Sequence, residues 1–314
     1  MLAGRAMMQE QFGPSAQLLG IDVAMVGIGL LAVTLNVLLL RILFRERLTI
    51  DRGLMAAIGL FDIAMSGFII YSVVMRWSGV LIQTGSAMCL VSSVLFNSAT
   101  VLTPMFVAQL SMVRYLAIVR GVRMGWKSLV FCLISLLLVW VIFLWRGLTS
   151  ELVLLPSGMY CTPLYWGMDI SDKLFGSIIL VVVIPSLIAI PFAYNRVMTH
   201  YRQIIPLSRL EGYIVQQQLR RNTTFITITV IAYFMAFIPE LVHVFLTIVF
   251  DVQRTALSDG IVMTLLFSIT ITNALFALLL HEETRRVLLS QIHTTVISLK
   301  SIHRMLKTSP IDLS

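Results

Sequence analysis

The chain has 314 residues, of which 58% are hydrophobic and 12% charged, with a formal net charge of +8. Soluble domains carry roughly a quarter of charged residues, so a chain this apolar lacks the polar surface to cover its own core in water. The basic excess would suit nucleic acid, but the basic residues sit in alternate loops, a distribution that points to a membrane surface and away from nucleic acid.

A helix crossing a hydrocarbon core of ~30 Å needs about 20 apolar residues at ~1.5 Å each. Seven runs have that length, at 19–43, 53–75, 85–118, 128–149, 174–198, 222–249 and 258–280. None shows the alternation of a membrane barrel. The expected fold is an all-α membrane protein with a short N-terminal segment (1–18), a seven-transmembrane helix bundle (19–280) and a tail (281–314) forming an amphipathic eighth helix. The first 18 residues hold no compact apolar block, so the first run is expected to be a membrane helix rather than a cleaved leader.

In chain order, helix one carries Asn36 and helix two Asp62. Helix three opens at Cys89, continues through Phe96, Asn97, Thr100, Thr103 and Pro104, and ends at Arg114-Tyr115. Helix four holds Cys132 and Trp140, and the following loop holds Cys161. Helix five carries Pro185, Pro191 and Tyr194; helix six carries Tyr233, Phe237, Pro239, Glu240 and His243. Helix seven carries Met263, Phe267 and Asn273. Beyond it, Leu288, Ile292, Val296, Leu299, Ile302 and Leu306 recur at helical spacing among basic residues, as in a helix lying on the inner leaflet.

The segments after helices one, three, five and seven hold 18 of the 23 basic residues. By the positive-inside rule that side is cytoplasmic, which puts the N-terminus outside and the C-terminus inside; a multi-pass protein of the plasma membrane is expected. Cys89 and Cys161 then both face an oxidising space, either as a disulfide or as two separate thiols, whereas Cys132 is a small packing residue within helix four. The sequon Asn222-Thr223-Thr224 falls on the inner side and should carry no glycan.

Ionisable and amide groups inside a bilayer each cost several kcal/mol, so each needs a partner or a role. Asp62 with Asn36, Thr103 and Asn273 makes either a plain interhelical hydrogen-bond network or a site for a small cation such as sodium. The four prolines of helices three, five and six each remove a backbone donor and can kink the helix, which makes a cavity or a hinge. Pro239 would divide an aromatic cluster from a polar pocket that opens at Glu240 and His243, which lie three apart and can pair.

In their order and spacing, these residues resemble the rhodopsin-like (class A) G-protein-coupled receptor family over nearly the whole chain. Asn36 resembles the family's helix-one asparagine, Asp62 its helix-two aspartate, Cys89 and Cys161 its disulfide, and Trp140 its helix-four tryptophan. Arg114-Tyr115 resembles the Asp-Arg-Tyr motif, Phe237-Ile238-Pro239 the Cys-Trp-x-Pro motif, and Asn273-Ala274 the Asn-Pro-x-x-Tyr motif. The departures concern the switch. Val113 stands in place of the arginine's acidic neighbour, Leu219 in place of a helix-six acid, Phe237 in place of tryptophan, and Ala274 and Ala277 in place of proline and tyrosine. Tyr194 follows Pro185 one residue later than is common, and Pro104 is unusual for its part of helix three.

The resemblance implies a receptor that passes an external signal to a heterotrimeric G protein, with Arg114, Tyr115, Tyr194, Phe237, Pro239 and Asn273 as its coupling and switch residues. Val113 leaves the arginine without a local carboxylate, from which raised basal signalling is expected. Phe96, Asn97, Thr100, Glu240, His243, Met263 and Phe267 are the candidate ligand pocket. Phe96 stands where amine receptors carry an aspartate and Phe267 where opsins carry lysine, which leaves a small or lipid-like molecule or a short peptide as ligand. Membrane lipids are the other partners, a homodimer is compatible, and no cofactor is expected, nor any metal beyond the cation at Asp62.

An enzyme is not expected, since His243 alone of the histidines lies within a span and no nucleophile–base pair accompanies it. The alternative is a seven-helix transporter, channel or scramblase without G-protein coupling, against which stands the absence of an evident inverted repeat.

Overall fold

The computed structural model describes residues 16–45, 49–78, 84, 86–122, 126–149, 151–163, 170–204, 209–250, 252, 254–280 and 285. Among the described residues seven long helices follow one another: α1 (Ala16–Leu43), α2 (Ile50–Trp77), α3 (Ala87–Val119), α4 (Trp126–Thr149), α5 (Ile170–Ile204), α6 (Arg209–Phe250) and α7 (Ala256–Leu280). All seven are long and apolar enough to cross a membrane. The eighth helix expected in 281–314 lies, Arg285 apart, outside the described residues.

The helices overrun the apolar runs from which they were predicted. Helix α6 starts at Arg209 rather than 222, because residues with good helix propensity carry the backbone hydrogen bonds on past the lipid-facing stretch. The N-termini of α2 and α3 are capped by hydroxyls: Thr49 accepts from the Arg52 amide at 3.4 Å and Ser86 from the Cys89 amide at 3.1 Å. Pro104, Pro185, Pro191 and Pro239 all sit inside continuous helices, so none of them ends its helix.

The bundle is apolar on both its inside and its outside. Helix α3 is its axis and the most buried of the spans. The outer faces of α1 and α4 expose Leu30, Val37, Phe131, Leu138 and Trp145, with Phe131 74% exposed. Water would not tolerate apolar surface on that scale, whereas lipid supplies it with contacts. On α1, a Cβ added to Gly29 would lie 2.8 Å from Ile70, which marks a close helix approach that only glycine permits there.

Between α4 and α5 the chain forms an antiparallel hairpin, β1 (Leu152–Leu154) with β2 (Cys161–Pro163), in the register Leu152↔Pro163, Val153↔Thr162 and Leu154↔Cys161. Its tip turns at Pro156 and Ser157, closed by the Gly158 amide donating to the Leu155 carbonyl at 2.8 Å. Gly158 has φ +71°, a left-handed conformation that favours glycine. Leu155, Ser157, Met159, Tyr160 and all three residues of β2 are buried, so the hairpin is folded into the end of the bundle.

Candidate functional site

Three groups of polar residues lie along the bundle, and the candidate site is built from them. At the hairpin end, a disulfide joins Cys89 at the start of α3 to Cys161 in β2. It decides between the two readings of those cysteines and fixes one edge of the hairpin to α3. Beside it the Cys161 amide donates to Ser92 Oγ at 3.0 Å, and the Thr162 hydroxyl to Asn97 Oδ1 at 3.2 Å. Asn97, predicted to face a ligand, is therefore bound to the hairpin.

Two charged clusters hold the hairpin's other edge. Asp22 and Arg76 form an ion pair, the Trp77 indole donates to Asp22 at 3.1 Å, and Arg76 Nη1 donates to the Ser157 carbonyl at 2.6 Å. Opposite, Arg254 grips both oxygens of Glu240 at 2.8 and 2.9 Å and reaches Asp259 at 3.2 Å. Asp259, fully buried at the start of α7, also accepts from the Ser157 amide at 3.2 Å and the Tyr160 hydroxyl at 3.1 Å. The pairing with His243 that the spacing allows to Glu240 is not the one made. A guanidinium offers two parallel donors to a carboxylate, and it takes both Glu240 oxygens. His243 is only partly buried and lines neither interior cavity.

The pocket expected to open above Pro239 is filled by the chain itself. The Tyr160 ring lies with its centroid 3.7 Å from that of Phe96, and Phe96 meets Phe267 edge-on at 6.3 Å. Below the hairpin two small interior cavities remain. One, about 10 Å³, is bounded by Met25, Met65, Phe96, Tyr160, Met263 and Phe267 among others. The other, about 20 Å³, is bounded by Asp62, Phe96, Thr100, Thr103, Phe237 and Phe267 with their neighbours.

The mid-bundle group centres on Asp62. Asn273 Nδ2 donates to it at 2.9 Å, and the Tyr233 hydroxyl donates to Asn273 Oδ1 in turn. Tyr233 stacks on Phe237 at 6.0 Å, so the aromatic cluster expected below Pro239 is present. Thr103 shares the cavity wall with Asp62 as expected, but Asn36 does not join the ring. Its amide donates instead to the Ala32 carbonyl at 2.9 Å and to the Thr270 carbonyl at 3.2 Å, tying α1 to α7. The cavity at Asp62 is large enough for one water-sized guest. Ser66, one turn from Asp62, has a buried hydroxyl with no hydrogen-bond partner. A carboxylate, nearby hydroxyls and that volume fit a small monovalent cation. Among the described residues no group of three or more His, Cys, Asp or Glu is placed to hold a metal of higher charge.

At the far end of α3 the largely buried guanidinium of Arg114 donates through Nε to Asp51 Oδ2 at 3.1 Å and through Nη1 to the Tyr194 hydroxyl at 3.2 Å. It also lies over the Phe276 ring at 5.9 Å, and Phe276 meets Tyr194 edge-on at 5.7 Å. Arg114 has no carboxylate beside it in sequence, as expected, but the expectation that this leaves it unrestrained is corrected. With Val113 beside it, the arginine takes its partner from the first turn of α2, across 63 residues of sequence. Tyr115 faces away, against Phe192 at 6.1 Å, and its hydroxyl accepts from Arg120. The side chain of Leu219, which stands in place of a helix-six acid, lies outside the described residues.

Asp51, Tyr160, Arg254, Asp259 and Phe276 were not among the predicted site residues. The available signal was charge close to a span: Asp51 and Asp259 are acidic residues in the first turns of α2 and α7, and Arg254 lies just before α7. No protein-family model matches this chain and no curated protein matches it, so its function is read from its own residues.

Proposed function

We propose that the chain is a receptor of the rhodopsin-like class that carries a signal from an external ligand to a heterotrimeric G protein, with the hairpin end outside the cell and the Arg114 end in the cytoplasm. The observation that carries this reading is the state of Arg114. A largely buried guanidinium at one end of the bundle is held by side chains from two other helices, Asp51 of α2 and Tyr194 of α5, both of which a partner's backbone carbonyls can replace. Phe276 touches that cluster, and one turn away on the same helix Asn273 links Tyr233 to Asp62. The Asp62 cavity shares Phe96 and Phe267 with the hairpin end, so packed groups connect the two ends.

The charge pattern supports the orientation. Basic residues concentrate in the loops at the Arg114 end, and the disulfide lies at the other end, where an oxidising space would preserve it. Raised basal signalling no longer follows from Val113, because Asp51 supplies the restraint that Val113 does not.

The test is ligand-free nucleotide exchange on a panel of G proteins, using membranes bearing the wild type or Arg114→Ala. Exchange above that of empty membranes that falls with the substitution supports coupling and names the partner. Ion or lipid flux in proteoliposomes without G protein, with no exchange on any partner, would overturn the reading in favour of a transporter or scramblase.

A cation in the Asp62 cavity, bound by the folded state alone, would raise stability by mass action. Exchanging sodium for choline is therefore expected to lower the wild-type Tm by about 2–4 °C, the shift given by ~1 kcal/mol in a large domain. The Tm of Asp62→Asn should not respond. An equal response in both proteins would assign the effect to ionic strength.

A further inference from the structure

The hairpin tip presents one side chain to the interior as a ligand would. Tyr160 is 2% exposed, with its ring against Phe96 and its hydroxyl on the carboxylate of a completely buried Asp259. The slot that holds it has an aromatic wall in Phe96 of α3, backed edge-on by Phe267 of α7, which borders the same small cavity, and a hydrogen-bond acceptor, Asp259, at its end. Such a slot is complementary to a flat ring with a donor at its para position. A ring without the donor would leave Asp259 one hydrogen bond short in a place where water does not reach it.

The occupant also sits on a hairpin with little secondary structure of its own. Its strands are three residues each, and an isolated two-stranded hairpin is marginally stable at best. Leu155 and Met159 pack into the core beside Tyr160, and the polar contacts of Arg76 and Asp259 with Ser157, of Ser92 with Cys161 and of Asn97 with Thr162 complete the hairpin's attachment. The neighbouring Cys161 is covalently fixed to α3, so Tyr160 stays close to its slot even when out of it. A short tether of that kind gives an effective concentration on the order of mM.

We propose that the slot formed by Phe96, Phe267 and Asp259 is a phenol-binding subsite, filled in this structure by Tyr160 as a tethered ligand, and that the receptor's free ligand carries a hydroxylated aromatic ring that takes Tyr160's place. The second half rests on the receptor reading above; the first does not. Displacement moves the turn that Arg76 and Asp259 hold, and the ring that enters rests on Phe96 and Phe267, which also wall the Asp62 cavity.

The test removes the tethered ring and supplies it free. Purified Tyr160→Ala is titrated with p-cresol, which is the tyrosine side chain as a separate molecule, and with toluene, which lacks the hydroxyl; binding is read as the rise in Tm. The expected result is binding of p-cresol about tenfold or more tighter than toluene, the factor that a hydrogen bond to a charged acceptor gives. The wild type should show no shift at the same p-cresol concentration. Equal binding of the two would mean an apolar hole, and binding of neither a collapsed one; either result overturns the subsite. Should Tyr160→Ala fail to accumulate, the same comparison is read as folded yield during expression. Rescue by p-cresol alone supports the subsite, and rescue by both or neither overturns it. Nucleotide exchange on the p-cresol-bound variant separates the two claims. Selective binding without any change in exchange on any G protein leaves the phenol subsite standing and counts against the receptor reading.

Discussion

Arg254→Met is expected to destabilise the protein by about 3–5 kcal/mol, the cost of stripping a buried ionic cluster of its cation. Arg254 is 3% exposed in its side chain and is the guanidinium that Glu240 and Asp259 share, themselves 7% and 0% exposed. Without it, two carboxylates remain close together in a place where water cannot screen them. Methionine keeps most of the side-chain length, so the loss reports charge rather than volume. Thermal unfolding of the purified protein is the measurement, and Glu240→Leu in the same background should recover part of the loss by removing one stranded charge. A cost below about 1 kcal/mol for Arg254→Met would mean that solvent reaches the cluster and that the hairpin is held by other contacts.

At the other end of the bundle the expected effect is functional. Asp51→Asn keeps the shape of the side chain and removes the charge that holds Arg114. Both groups of this pair are partly shielded, at 13% and 27% exposure, so the contact is worth about 1–2 kcal/mol. If coupling requires Arg114 to leave Asp51, that energy separates the resting state from the coupling-competent one, and ligand-free nucleotide exchange should rise roughly 5- to 30-fold. Tyr194→Phe removes only a neutral acceptor at 3.2 Å and should change exchange about twofold. The double variant Asp51→Asn/Arg114→Ala should fall to the level of Arg114→Ala alone. Exchange unchanged in Asp51→Asn would place the restraint on Arg114 elsewhere.

The separation between what was legible and what was not follows the range of the interactions. Seven spans could be counted from the residues because burial in hydrocarbon is decided by each run's own composition. Cys89 and Cys161 could be matched because topology put only those two cysteines on one side. Asn273 and Asp62 were named together and are in contact. Asn36 was grouped with them and instead bonds the Thr270 carbonyl, because its direction depends on how far α1 is rotated against α7.

The charged residues show the same division more sharply. Glu240 and His243 share a helical face, so local spacing paired them; the real partner is a loop arginine 14 residues on, brought back by the turn between α6 and α7. Val113 suggested an unrestrained Arg114 because a carboxylate was sought in the adjacent position, yet an ion pair needs proximity in space and α2 supplies Asp51. The pocket residues Phe96, Met263 and Phe267 do converge, but that Tyr160 would fill the space between them was not visible from helical periodicity. The number of spans, the distribution of charge between their ends and the cysteines able to bridge could be read from composition along short stretches, whereas the helix lengths could not. Only the tertiary structure decided which buried polar group meets which, because each such contact depends on the rotation and depth of two helices, quantities set by the packing of the whole bundle.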